Sequence, residues 1–137
     1  MILIDEYLTV RVLLGAWPDG LPDDDLVLAA SRHWRLLQAL HGPRGGQLSR
    51  LLDQLSPAGR DSLRHPHPEV LQVLDPRPLL DEAAAIAARY GGTGLLIAES
   101  LAAGLHHGGL WFGTSHNVGQ LLARAADELG ISVHVIT

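Results

Sequence analysis

The side chains in this 137-residue sequence that could do chemistry mostly follow short apolar runs. Asp5 closes the run MILI, Ser31 and Arg35 follow LVLAA, and Thr114, Ser115, His116 and Asn117 follow LWF. A carboxylate in such a place can ligate a hard cation such as Mg²⁺ or Mn²⁺, whose bound water attacks a phosphodiester. It can equally do no more than cap the helix that follows. A turn rich in hydroxyl and amide groups at a helix start can bind phosphate through free N–H groups, or serve as an ordinary cap. Arg35 in the same pocket would repel a cation and attract an anion. Asp5 is therefore the candidate catalytic residue, and the candidate metal ligand should a metal be bound. Ser31, Arg35, Thr114, Ser115, His116 and Asn117 are the candidate binding residues.

Other chemistry finds less support. His65-Pro66-His67 and His106-His107 have no carboxylate or cysteine at metal-ligand spacing, and the sequence has no cysteine. Gly91-Gly92-Thr93-Gly94 follows a helical pattern and lacks the lysine of a phosphate loop, so it reads as a helix terminator. No GxSxG elbow exists to activate Ser31 or Ser100. Trp17, Trp34 and Trp111 could stack bases. Trp34 and Trp111 are expected in the core or an interface.

Elements that would position these residues follow from periodicity. Strands are expected over 1–5, 26–30, 70–74, 110–112 and 131–136. Helices are expected over 7–14, from Ser31 to just before Gly42-Pro43, over 47–55, from Pro78 to Gly91, over 94–105 and over 115–129. The segment 56–69, SPAGRDSLRHPHPE, reads as a loop with at most one helical turn. The alternation predicts an α/β fold: a three-layer α/β/α arrangement, one domain, with a mostly parallel sheet of about five strands. Ligands in such sheets bind beyond the carboxyl ends of the strands, where the candidate residues lie.

On these motifs (MILID, LVLAASRHWRLLQAL, GTGLLIAESLAAGL, LWFGTSHN and ISVHVI) the chain resembles the PIN-domain superfamily, and within it the small VapC-type toxins. The resemblance runs over essentially the whole chain. It implies a ribonuclease in which three or four carboxylates hold Mg²⁺ or Mn²⁺. Carried over one by one, the first acid matches Asp5. The second falls near Arg35, the third on Gly94, and the fourth on His116 with Asn117 adjacent. Glu99 lies about 140° around its helix from Gly94 and is a poor replacement. Glu6 faces away from Asp5 if the strand continues, though a turn would free it. Asp23, Asp24 and Asp25 precede the second strand, at the wrong end of the sheet.

Composition sets the remaining bounds. A formal charge of −5 argues against binding nucleic acid by net charge alone. The stretch 32–64 nevertheless holds Arg32, Arg35, Arg44, Arg50, Arg60 and Arg64 against only Asp53 and Asp61. It reads as a solvated helical face or as a dock for an acidic partner or nucleic acid. No apolar run suits a membrane span and no signal segment is recognisable, so a cytoplasmic protein with no membrane partner is expected. The functional expectation is a degenerate PIN-like protein, non-catalytic and without cofactor, binding nucleic acid or a protein partner such as an antitoxin. A divergent Mg²⁺- or Mn²⁺-dependent ribonuclease toxin and a regulatory dimerisation module are the alternatives. A homodimer is expected.

Overall fold

Period-two alternation in the first two strands sets the architecture. The computed structural model describes residues 1–42 and 45–136. In β1 (Ile2–Ile4) Leu3 joins one apolar cluster and Ile4 the other; in β2 (Leu26–Leu28) Val27 does the former, Leu26 and Leu28 the latter. A strand that buries alternate residues on opposite sides must be covered on both faces. With β3 (Gln72–Val73), β4 (Leu110–Phe112) and β5 (Val133–Val135), these strands form an all-parallel sheet in the order β3-β2-β1-β4-β5.

One face carries α1 (Glu6–Leu13), α2 (Ala30–His41), α3 (Gly46–Asp53) and α4 (Pro57–Arg64). The other carries α5 (Leu80–Arg89), α6 (Leu95–His107) and α7 (Gln120–Leu129). The result is the expected three-layer α/β/α fold. Helix α6 lies close on the sheet at Gly104, where an added Cβ would stand 3.1 Å from Ile131 and 3.2 Å from Leu110. Among the described residues no helix is long and apolar enough to cross a membrane.

Several local expectations need correction. The segment 56–69 is not mainly loop, because α4 makes two turns of it. Ser56 caps that helix by accepting from Gly59 N at 3.1 Å, Pro57 opens it, and Leu63 is fully buried. The helix expected over 115–129 is two pieces, a 3₁₀ turn at Ser115–Asn117 and then α7. Gly119 parts them with a φ of +72°, a backbone angle that helix cannot contain. Trp34 is 62% exposed on α2, so of its two expected places, core or interface, the core is ruled out. Arg32, grouped with solvated arginines, is buried. Pro43 and Arg44, read as a helix stop and as part of the basic stretch, lie outside the described residues.

The strand order reverses direction at β1. The chain passes from β1 to β2 and β3 on one side, then crosses to β4 and β5 on the other. The crevice between the carboxyl ends of β1 and β4 is thus the topological switch point, and Asp5 is the first residue past it on β1.

Candidate functional site

At Asp5 the strand becomes a helix with no intervening loop. Its backbone stays extended, and its Oδ1 accepts from Leu8 N at 2.9 Å as the N-cap of α1. The same oxygen accepts from Gly113 N at 3.1 Å, and Oδ2 accepts from Asn117 Nδ2 at 2.9 Å. Gly113 permits this approach: an added Cβ would stand 2.7 Å from Tyr7 Cβ and 3.1 Å from Leu8 N. Burial pushes the Asp5 carboxyl up to about 6, outweighing the pull of its donors Leu8 and Asn117.

Glu6, first residue of α1, is fully buried beside it. Arg32 and Arg35 stand three residues apart on α2, one helical face, and both guanidinium groups reach Glu6. Arg32 Nη1 meets Oε1 at 2.6 Å, and Arg35 Nη1 donates to Oε2. Burial alone would raise the Glu6 carboxyl, but the two arginines hold it below the ordinary glutamate range. Asn117 closes the ring, accepting from Arg35 Nη1 at 2.8 Å on Oδ1 while its Nδ2 faces the carboxylates.

A third acid anchors the back of the site. Glu99 of α6 is buried, and its Oε1 accepts from Ser31 N at 2.9 Å and Ser31 Oγ at 3.0 Å. Helix α2 has no side-chain cap of its own at Ala29, so Glu99 supplies the missing acceptor across the sheet end. Arg32 is fixed on the same side, donating from Nε to Ser100 Oγ at 2.8 Å, with its guanidinium carbon 5.2 Å from the Phe112 ring centre.

Of the residues singled out from sequence, Asp5, Arg35 and Asn117 converge on one network, and Ser31 joins its edge through Glu99. Thr114 caps the 3₁₀ turn, accepting from His116 N at 3.3 Å. Ser115 and His116 are exposed, and it is Asn117, one residue on, that reaches Asp5. Gly94, as N-cap of α6, contributes no side chain. Glu6, Arg32, Glu99 and Ser100 were missed. The signal for Glu6 was present: if Asp5 caps a helix, the strand period ends at Ile4 and Glu6 need not face away. Arg32 and Arg35 at i, i+3 offered a second.

The arrangement does not fit a divalent cation. Glu6 has both oxygens on guanidinium groups, and Asp5 has both oxygens on donors. Glu99 is spent on Ser31, and the space between Asp5, Arg32 and Phe112 leaves no room for a water molecule. Among the described residues no three His, Asp or Glu side chains are grouped so as to hold a metal ion. What the network does is fix Arg35 and the two helix starts in place. No protein-family model matches the chain, and neither curated proteins nor solved structures provide a match.

Proposed function

We propose that this chain is a non-catalytic PIN-like domain that acts by binding, with nucleic acid as its partner. The observation that carries the proposal is the pairing of Glu6 with both Arg32 and Arg35, at the sheet end where a nuclease of that type would gather free carboxylates. Replacing a metal by two buried or half-buried guanidinium groups keeps the acids compensated and the pocket folded. It also removes the ligands that would generate a nucleophilic water. The strand–helix alternation and an acid just past the central strand support the PIN-like part of the reading.

Nucleic acid is favoured over a protein partner by the arginines left on the surface. Arg50 on α3 and Arg64 on α4 are exposed, and the layer they share with α2 carries few acids. Single-stranded RNA should bind with an affinity that falls steeply as salt rises, and the double charge reversal Arg50→Glu, Arg64→Glu should weaken it by at least tenfold. Incubation of RNA with the protein and Mg²⁺ or Mn²⁺ should give no cleavage. Cleavage that disappears in Asp5→Ala would overturn the non-catalytic reading.

A further inference from the structure

We infer that the groove at the amino end of β2, away from the closed network, docks an extended arginine-bearing segment of another protein. Its volume is about 420 Å³, and Trp17, Val70, Asp23, Asp24, Asp25 and Glu69 are among the residues lining it. Asp25 immediately precedes β2, whereas Asp5 follows β1, so in a parallel sheet the two sites lie at opposite ends. Among the described residues no arginine or histidine lines the groove.

Charge is the first observation. The four acids are exposed, and only Asp24 has an ion-pair partner among the described residues, the Met1 ammonium at 3.1 Å. Asp23, Asp25 and Glu69 are left without a counter-charge. Their carboxylates do not gather into a metal site, since among the described residues no three acids or histidines are grouped so as to hold an ion. A partner that answers them must carry positive charges set apart from one another, as the side chains of a polypeptide are.

The apolar part of the lining is the second. Trp17 is 45% exposed and Val70 50%. The Trp17 indole donates from Nε1 to Leu21 O at 3.0 Å, so its ring is held in place while its surface stays open. Arginine joins a charged head to an apolar stem, and its planar guanidinium stacks on an indole face. An arginine-bearing segment therefore meets both halves of the lining. A phosphate would be repelled by the acids, and a neutral apolar segment would leave them unanswered.

This docking goes beyond the nucleic-acid role proposed above, and neither depends on the other. The experiment titrates the full chain with a blocked hexapeptide alternating arginine and leucine, followed by NMR and calorimetry. The peptide should move the Trp17 indole N–H and the Val70 amide, with an affinity that falls as salt rises. The triple variant Asp23→Asn, Asp25→Asn, Glu69→Gln changes only exposed side chains, so it should fold and bind about tenfold more weakly. Trp17→Leu should weaken binding by about threefold. Unmoved Trp17 and Val70 resonances, or equal affinity in the triple variant, overturns the docking. Spermidine carries spaced charges without a guanidinium; if it binds as tightly and moves the same resonances, the occupant is a small polyamine and the proposal fails. It fails too if these resonances shift with protein concentration alone and the shift is lost in Arg50→Glu, Arg64→Glu, since the occupant is then a second copy.

Discussion

At the scale of single residues, the site is held by compensation. Arg32 is 3% exposed and its charge is tolerable because Glu6 answers it at 2.6 Å. Removing one member strands the other. Glu6→Leu should cost roughly 3–5 kcal/mol, because two guanidinium groups lose their carboxylate and one of them is buried. Adding Arg32→Met to Glu6→Leu should recover part of that loss, since a buried pair can often be exchanged for apolar packing. Urea denaturation of the single and double variants measures the coupling, and purely additive losses would contradict it. Sequence reading found Asp5, Arg35 and Asn117 from their positions after strands, which is a property of the parallel sheet. It missed Arg32 because an arginine in a basic stretch is ordinarily solvated, and only its spacing from Arg35 toward a single acid tells otherwise. Glu99 was set aside by its angle around α6. Its actual partner, the start of α2, comes from an element 68 residues away in the chain.

At the scale of elements, helices here borrow their caps. Helix α2 begins without one, and α6 reaches across to provide it through Glu99. Glu99→Ala should therefore destabilise α2 by about 1–2 kcal/mol, in the range of a lost N-cap. Amide hydrogen exchange should quicken at Ser31 and Arg32, at the start of α2, while α6 itself stays protected. Equal loss in both helices would mean that Glu99 acts by packing. The order and kind of most elements were legible, since apolar periodicity is strong over β1, β2, α2 and α3, and α6 is a long run apolar on nearly every side. Helix α4 was not, because its eight residues bury one leucine completely and otherwise present charge and small residues. The break at Gly119 was hidden for another reason: a glycine within helical spacing does not reveal its φ.

For the whole molecule, the buried neighbours Asp5 and Glu6 give stability opposite dependences on pH. The Asp5 carboxyl is raised from an ordinary 3.8 to about 6, so folding favours its protonated form. That contribution is complete below pH 3.8 and is lost as pH rises through 6. Glu6 is held below its ordinary 4.5, so its contribution is present above that value and is lost as pH falls through the folded one. Stability from this pair should peak near pH 4, between the ordinary values of the two acids. It should then fall by about 2 kcal/mol toward pH 8, the part still present at that peak of the roughly 3 kcal/mol that the Asp5 displacement is worth at about 1.4 kcal/mol for each pH unit. In Asp5→Asn the fall between pH 5 and pH 8 should be largely absent. Denaturation curves across that range compare the two proteins directly, and parallel profiles would remove Asp5 from the account.

The central position of β1 also has a consequence in time. It precedes the other strands of the sheet, and β2 can reach it after some twenty further residues; its other neighbour, β4, begins at Leu110. The N–H of Gly113 and the amide of Asn117, which complete the bonding of Asp5, come later still. Until β4 and Asn117 emerge, the chain therefore carries an apolar strand with one edge unpaired and an acid half-satisfied. Long-range parallel pairing of this kind closes slowly and exposes nascent chains to aggregation. The residues that lock the network leave the ribosome more than a hundred residues after Asp5, so the network can close only once Asn117 has emerged.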